Sequence, residues 1–282
     1  LADIRDYKTL ENFIDEKKPS TIIHMAAQPL VLQSYENPRE TFDINVMGTV
    51  NVLDIAFKKD FVKAIVIVTT DKVYRNDDSG KAFSESDPLE GKDPYSASKV
   101  GTEAVVAAWQ QISNVSGGPR IVSVRAGNVI GGGDFSENRI IPDIIRGVLT
   151  KRPIEIRNPK STRPWQHVID PLAGYILLAE KLSQDWETYS SPWNFGPNYD
   201  VQFSVLDIVD KLNHVFPVVV HKEKSKFKET KFLSIDSTKS ANALGWKPRF
   251  NTLESVELTV EWYQAFVENR DVHTLTSNQI ER

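Results

Sequence analysis

Hydrophobic positions along the chain alternate between two spacings. Short β-branched apolar runs, such as 63–70, predict buried strands, and segments with apolar residues three or four positions apart predict helices. This alternation is typical of βαβ units, and it predicts an α/β fold with a parallel sheet that is covered on both faces. The predicted helices span 6–17, 38–59 and 94–111, and the predicted strands that follow them span 21–25, 63–70 and 120–125.

The pattern becomes irregular after the glycine run at 131–133. We therefore expect a smaller mixed α/β lobe formed by 131–164 and 198–282, beside a main domain formed by 1–130 and 165–197. The helices predicted in this part of the chain span 140–150, 172–182, 205–215, 237–244 and 253–267, and the short strands span 154–157, 165–168 and 193–196.

The composition is that of an ordinary globular protein and excludes several classes of protein. The chain has 282 residues, 40% hydrophobic, with a formal charge of −4, which gives no sign of nucleic-acid binding. No apolar run approaches the roughly 20 residues of a membrane-spanning helix. The absence of cysteine excludes disulfides and thiolate metal sites, and the five histidines show no metal-ligand spacing. We expect a cytoplasmic protein without a metal.

The pentad Tyr95-Ser96-Ala97-Ser98-Lys99 follows a helix-start signal at Pro94. Positions i and i+4 lie on one face of a helix, so the Tyr95 phenol and the Lys99 ammonium can point to the same place. A nearby cation is expected to lower the pKa of a phenol from about 10, which would suit a general acid or base. Because this spacing is common by chance, a solvated helix face is the alternative interpretation of the pair alone.

Polar residues follow two of the predicted strands. Thr70, Asp71 and Lys72 end the strand over 63–70, and ligands of open α/β sheets bind at the carboxyl ends of strands. Ordinary turn residues are the alternative, above all for Asp71. After the strand over 21–25, the small side chains of Ala26 and Ala27 would allow a flat ligand to approach the backbone. His24 on that strand is more typical of a packing residue, and it receives no role.

Several of these motifs occur together in one order. They are Thr70-Asp71-Lys72, the segment from Tyr95 to Lys99, the segment from Arg125 to Asp134, and Arg163-Pro164-Trp165-Gln166-His167-Val168. With them the chain resembles the extended short-chain dehydrogenase/reductases, and within these the nucleotide-sugar 4,6-dehydratases, most of all those acting on CDP-glucose. The resemblance implies a doubly wound Rossmann-like sheet, NAD as cofactor, CDP-glucose as substrate and a homodimer.

The resemblance also implies a role for each matching residue. Tyr95 would be the acid/base tyrosine, supported by Lys99, which would also reach the nicotinamide ribose, and Thr70 would bond the 4-hydroxyl of the sugar. Asp71 and Lys72 would supply the two further proton transfers of a dehydration, with Lys72 as the base at carbon 5. The cofactor would be lined by Asp3, Ile4, Ala26, Ala27, Gln28 and Asn45, and the nucleotide diphosphate would be held by Asn128, Arg139, Arg163 and His167. For Asn45, a polar surface position is the alternative, as it is for Arg139 and Arg163.

The pattern departs from the family at the amino terminus. The family opens with a strand, a glycine-rich turn and a helix that holds the cofactor pyrophosphate, whereas no GxGxxG or GxxGxxG occurs in this sequence. Leu1 to Asp6 resembles the loop after the family's third strand. The sequence therefore predicts a sheet that lacks its first βαβαβ unit, with an unpaired edge at 21–25 and weak binding of NAD.

Three alternatives stay open from the sequence. The chain could be a dehydratase for another nucleotide sugar, or a 4-epimerase or dehydrogenase of the same family, although the pair Asp71-Lys72 argues against the last two. From a different class, it could be an inactive fragment or a domain that only binds its ligand.

Overall fold

A four-stranded parallel sheet forms the centre of the computed structural model, which describes residues 2–198, 203–222 and 230–282. The strand order is β1–β2–β3–β8, and each neighbouring pair is parallel. Among the described strands, β1 forms one edge of this sheet. The four strands are β1 (Thr21–His24), β2 (Ala64–Val68), β3 (Arg120–Ala126) and β8 (Trp193–Phe195).

Helices cover both faces of the sheet, as the long apolar runs of its strands require. Ile65 and Ile67 of β2 pack with α4 (Gly48–Phe57) and α5 (Pro94–Ser116) on one face. Ala64 and Val66, which alternate with them, pack on the other face against α7 (Ile169–Gln184). The predicted doubly wound α/β fold is confirmed.

The stretch between β1 and β2 differs from the single helix predicted over 38–59. After α1 (Tyr7–Lys17), which precedes β1, the chain forms α2 (Val31–Glu36), α3 (Pro38–Phe42), a π-helical turn (Asp43–Met47) and then α4. The physical reason lies at Asn45, whose backbone carbonyl accepts hydrogen bonds from the hydroxyls of Thr49 and Thr102. Such π-turns inside a helix occur often at functional sites.

A second cluster of buried apolar residues lies beyond the main sheet. Ile144 and Ile145 of α6 pack there with Ile208 of α9 and Tyr263 of α10. In contrast, Leu244 and Trp246 pack with α7 in the core of the main sheet. The helices are α6 (Ile140–Thr150), α8 (Trp186–Tyr189), α9 (Val205–Asn213), α10 (Thr252–Val267) and α11 (Val272–Glu281), with a π-turn at Ser240–Leu244 where a helix over 237–244 was predicted.

Three two-stranded ladders complete the described fold. The parallel pair β4 (Asn128–Ile130) and β7 (Trp165–His167) extends from the end of β3. The parallel pair of β5 (Ile154–Ile156) and β10 (Val220–Lys222) and the antiparallel pair of β6 (Thr162–Arg163) and β9 (Phe203–Ser204) lie in the later part of the chain. None of the helices in the described ranges is both long and apolar enough to cross a bilayer.

Candidate active site

The amino terminus of α5 positions the tyrosine and the lysine. Asp93 caps the helix by accepting a hydrogen bond from the Ser96 N–H at 2.9 Å, and the Ser96 hydroxyl in turn receives the N–H of Asp93. Pro94 occupies the first turn, where its missing N–H is tolerated. The helix therefore starts where the sequence predicted, and Tyr95 and Lys99 lie on consecutive turns of its buried face.

Tyr95 is buried, with 8% of its surface exposed. Burial raises the pKa of its phenol to about 12, and the charge of Asp71 acts in the same direction, whereas hydrogen bonding with Thr70 and the charge of Arg139 lower the pKa. The net pKa of this phenol is therefore raised and not lowered as the sequence led us to expect, because desolvation outweighs the hydrogen bond of Thr70 and the charge of Arg139.

The Lys99 ammonium is bonded to the backbone of the sheet. Its Nζ donates to the carbonyl oxygen of Val68 at 2.9 Å, at the carboxyl end of β2. Burial lowers the pKa of Lys99 from its ordinary 10.5 to about 8, against the opposing effect of the Glu103 charge. The lysine is thus a buried cation that loses its proton more readily than a surface lysine does.

Thr70, Asp71 and Lys72 form a tight turn directly after β2. Asp71–Val73 is a single 3₁₀ turn, and the Thr70 hydroxyl donates to Asp71 Oδ1 at 3.1 Å. Asp71 is 1% exposed and its Oδ2 has no hydrogen-bond partner in the described chain. The Lys72 Nζ lies 3.7 Å from Asp71 Oδ1, and the lysine side chain is 31% exposed. The turn therefore places a buried carboxyl and a partly exposed amine beside Thr70.

A chain of buried amides joins the end of β1 to the tyrosine helix. Asn45 Oδ1 accepts the N–H of Gln28 at 2.8 Å, and its Nδ2 donates to the Gln28 carbonyl and to Ser98 Oγ. The Ser98 hydroxyl donates to the Tyr95 carbonyl at 2.7 Å. Asn45 is 1% exposed, so the alternative of a polar surface position is excluded. These bonds fix the loop after β1 relative to the tyrosine.

The predicted cofactor residues nearest the amino terminus lie on the surface. Asp3 is exposed and accepts hydrogen bonds from the Arg5 guanidinium, which hold the pKa of its carboxyl below the usual range. The Ile4 side chain packs against Gly48, where any Cβ would clash with it, and the Ile4 carbonyl accepts from Asn51 Nδ2. Ala26 is exposed and Ala27 is half-buried.

The four residues predicted to hold the diphosphate differ in their exposure. Arg139 precedes α6, its side chain is 38% exposed, and its Nη1 lies 3.8 Å from Asp134 Oδ2. The charge of Arg139 lowers the pKa of Tyr95. Arg163 is half-buried and donates to the Thr162 carbonyl. Asn128 Oδ1 is buried without a partner in the described residues. His167 is 2% exposed, packs edge-on against Phe250, and burial lowers its pKa to about 4.

Two buried residues behind this site received no role from the sequence. Glu103 on α5 and Arg125 on β3 form an ion pair, with Arg125 Nε 2.8 Å from Glu103 Oε1 and both side chains nearly inaccessible. Two signals in the sequence could have found them. Glu103 lies four residues after Lys99 on the same helix face, and Arg125 is a charged residue near the end of a mostly apolar strand.

The sequence of the chain is similar to that of a known protein family. The sequence profile of the family described as GDP-mannose 4,6 dehydratase matches residues 1–259. The chain belongs to this family. A CDP-glucose 4,6-dehydratase of Salmonella typhimurium is 40% identical over 99% of this chain and 80% of its own length. The resemblance inferred from the motifs is therefore confirmed at the level of the family.

Solved structures of similar fold agree with membership of the GDP-mannose 4,6-dehydratase family. A dTDP-glucose 4,6-dehydratase of Streptomyces venezuelae, solved with NAD and TYD bound, superposes with a TM-score of 0.83 at 24% identity and covers 96% of this chain and 80% of its own. A UDP-glucose 4-epimerase of Thermus thermophilus, solved as a complex with NAD, gives 0.80 at 25% identity and covers 93% and 83%. Since dehydratases and epimerases share this fold, the residues of the site must distinguish them.

Proposed function

We propose that this member of the GDP-mannose 4,6-dehydratase family converts CDP-glucose to CDP-4-keto-6-deoxyglucose, with NAD as a cofactor that is regenerated in each turnover. One observation carries the proposal: Thr70 and Asp71 of the turn after β2 act on Tyr95, and the Lys72 amine lies 3.7 Å from Asp71, in a chain 40% identical to a CDP-glucose 4,6-dehydratase. A 4-epimerase needs only a tyrosine, a lysine and a hydroxyl, so the additional acid and amine favour dehydration.

The residues at the ends of β1 and β2 would fit the nicotinamide half of a dinucleotide, whereas the sequence offers no glycine-rich loop for the pyrophosphate, so the expectation of weak binding of NAD stands. An ammonium has three donors, and Lys99 uses one of them on Val68 within the described ranges, which leaves two for the hydroxyls of a ribose. Ala26 and Ala27 carry no bulky side chain, and the bonds of Asn45 hold the adjoining backbone in place. Asp3 and Ile4 would contact the adenosine half. When bound, NAD would accept a hydride from carbon 4 of the sugar and return it to carbon 6.

The proposed first step is proton removal from the 4-hydroxyl by Tyr95. With a pKa near 12 in the ligand-free chain, the phenol is a weak acid that must be activated when the site is filled. A bound nicotinamide cation and the Lys99 ammonium would both favour the phenolate. Thr70 would bind the 4-hydroxyl close to the phenol, because the Thr70 side chain is within hydrogen-bonding reach of both Tyr95 and Asp71.

The two remaining proton transfers are assigned to the Asp71–Lys72 pair. Lys72 would remove the proton from carbon 5, and Asp71 would protonate the departing 6-hydroxyl. Moving one proton from Lys72 Nζ to the carboxylate 3.7 Å away would leave an amine and a carboxylic acid, which are the base and the acid that these steps need. Asp71 Oδ2 is buried and has no hydrogen-bond partner among the described residues, and it is the oxygen from which such a proton would be passed to substrate.

The nucleotide half of the substrate is assigned to the second lobe together with the adjoining ends of the main domain, which carry Asn128 and His167. Arg139 is the best-supported contact, because it is partly exposed and its charge reaches Tyr95. Asn128, Arg163 and His167 are proposed as further contacts of the diphosphate, of which Arg163 is half-buried and His167 is buried. A guanidinium suits this task since it can pair with phosphate through two hydrogen bonds.

A homodimer and a cytoplasmic location complete the proposal. Support for the dimer comes from an exposed stripe of small and apolar residues on α5, at helical spacing: Ala104, Ala107, Ala108, Ile112 and Val115. Such a stripe allows close approach of a second copy. The cytoplasmic location rests on the sequence resemblance and on the lack of cysteine.

The proposal is tested by offering the purified protein NAD with CDP-glucose, dTDP-glucose, UDP-glucose or GDP-mannose. We expect loss of one water from CDP-glucose, seen by mass spectrometry, and a 6-methyl signal in the proton NMR spectrum. The Tyr95→Phe variant is the control and should form no product. An epimer of unchanged mass would instead identify an epimerase, and binding of CDP-glucose without any product would identify a binding domain.

A further inference from the structure

The Glu103 carboxylate is a buried and heavily hydrogen-bonded group of the main domain that the mechanism does not use. It is 6% exposed and accepts four hydrogen bonds. Two come from Arg125, through Nε at 2.8 Å and Nη2 at 2.9 Å, in a bidentate pair. The other two come from the Thr69 hydroxyl at 2.6 Å and the Ser123 hydroxyl at 2.7 Å.

These bonds connect the three elements that carry the proposed site. Glu103 lies on α5 one turn after Lys99, Ser123 and Arg125 belong to β3, and Thr69 is the residue directly before Thr70. Arg125 Nη1 continues the network to the Tyr74 hydroxyl at 3.0 Å, which donates to Asn194 of β8. A substitution at Glu103 would therefore alter the hydrogen bonds at the strand end that carries Thr70.

Glu103 is ionised in spite of its burial. Desolvation alone would raise the pKa of its carboxyl, but the hydrogen bonds and charge of Arg125, with the hydroxyl bonds, hold the pKa below its usual value. The Glu103 charge in turn raises the pKa of Lys99 against the effect of burial. A full set of donors thus keeps a negative charge one helical turn from the buried ammonium.

Other titratable groups also surround Lys99. Tyr95 shares its helix, His24 of β1 has its pKa lowered to about 4 by burial and by the Lys99 charge, and Asp71 and Lys72 lie on the turn that packs against α5. His24 is neutral above pH 5, and Asp71 acts on Tyr95. Among the residues that the structure describes, Glu103 is the carboxylate whose charge raises the pKa of Lys99 and so favours its protonated form.

We propose that Glu103, clamped by Arg125, is a positioning residue that keeps Lys99 protonated and holds Thr70 against Tyr95 through Thr69. The effect on catalysis rests on the proposed function, whereas the effect on the charge of Lys99 does not. The two can therefore fail separately.

The direct test is an NMR titration of lysine side chains in the protein and in Glu103→Gln, with the Lys99 signal assigned from Lys99→Met. The amide keeps one acceptor oxygen for either Thr69 or Ser123, presents an NH2 donor to the other hydroxyl, and removes the charge. We expect the Lys99 titration to move to lower pH by about one unit. The matched control is Asp170→Asn, another buried carboxyl, which accepts the N–H groups of Arg249 and Phe250 and has no bond to Thr69 or Arg125.

An unchanged Lys99 titration in Glu103→Gln overturns the proposal, and so does an equal shift in the Asp170→Asn control. Removing one partner of a buried pair destabilises strongly, so the double variant Glu103→Gln/Arg125→Met is measured as well. The double variant removes both charges of the buried ion pair, and the proposal still requires the pKa of Lys99 to fall.

The kinetic readout is the pH profile of product formation. A one-unit shift from about 8 reduces the protonated fraction of Lys99 at pH 8 by about fivefold, so turnover in Glu103→Gln should fall by that factor and recover toward pH 6. The KM for CDP-glucose should change little. If the unaltered protein forms no product, the proposed function fails while the titration still decides the role of Glu103. A loss of turnover that is equal at every pH would contradict a role through the charge of Lys99.

Discussion

At the scale of single residues, desolvation governs the charged side chains around the strand ends. Burial raises the pKa of Tyr95 to about 12 and lowers those of Lys99 and His24 to about 8 and 4. Each shift disfavours the charged form, which is the expected result of removing a group from water without a full set of partners. Glu103 and Arg125 are exceptions, because each has its charged form stabilised by the other, and two hydroxyls also bond to Glu103.

Lys72 offers the sharpest prediction about the proposed chemistry. In Lys72→Met the first oxidation should still occur and give transient NADH absorbance, because Tyr95, Lys99 and Thr70 are intact. Exchange of the carbon 5 proton in deuterated water should fall by about 10² to 10⁴, the usual contribution of a general base, and dehydration should fall with it. Unchanged exchange would assign the base to another group, and loss of NADH formation as well would indicate a role in binding.

The burial of His167 predicts that the free energy of unfolding decreases as the pH falls. Its folded pKa of about 4 lies below the unfolded value near 6.5, so between these limits the unfolded chain binds more protons and folding weakens as the pH falls. At pH 5 this loss amounts to about 2 kcal/mol. We expect His167→Phe to lose less stability than the unaltered protein between pH 7.5 and pH 5 in urea unfolding, since Phe cannot take up a proton.

His24 stays in both of these proteins, so its own titration cancels in the comparison. Equal losses of stability in the two proteins would mean that His167 is not held in its neutral form.

The sequence predicted these residues more reliably than their surroundings. The spacing of Tyr95 and Lys99 and the strand end at Thr70 follow from local periodicity, so they were found without a structure. The pKa direction of Tyr95, the burial of His167 and the pair of Glu103 with Arg125 depend on contacts between residues far apart in the chain. Such contacts cannot be read from local patterns.

At the scale of elements, the π-turn over Asp43–Met47 is the feature that fixes the site most directly. It presents Asn45 to the Gln28 backbone and to Ser98 at once. An amphipathic pattern cannot predict this turn, because one inserted residue barely changes the helical spacing. In contrast, the start of α5 was predicted correctly, because Pro94 and the cap at Asp93 are local signals, although the helix runs to Ser116 and not to 111.

Truncating Asn45 should therefore be costly. Asn45→Ala removes three hydrogen bonds and leaves the N–H and the carbonyl of Gln28 without these partners, at about 1–3 kcal/mol for each buried group left unsatisfied. We expect the free energy of unfolding to fall by about 2–4 kcal/mol in urea titrations. Asn51→Ala on the same helix is the control, since its side chain is half-buried and bonds only the carbonyls of Ile4 and Arg5. A smaller loss in Asn45→Ala than in the control would contradict this account of the π-turn.

At the scale of the whole molecule, the proposed homodimer depends on the exposed stripe of α5. Ala107 lies near the middle of that stripe, so Ala107→Glu would place a charge between two packed helices. We expect light scattering at micromolar concentration to show a dimer for the unaltered protein and a monomer for Ala107→Glu. Leu149→Glu is the control, because Leu149 is 50% exposed on α6, outside the stripe. A monomeric unaltered protein would contradict the proposal.

The central claim is that a hydride moves from carbon 4 to carbon 6 of one sugar within one site. The most direct measurement uses CDP-glucose that carries deuterium at carbon 4, incubated with the purified protein and NAD in ordinary water, with the product followed by proton and deuterium NMR. The account predicts a 4-keto-6-deoxy product whose methyl group carries the deuterium. Deuterium retained at carbon 4 of an epimer, or a methyl group without deuterium, would contradict it.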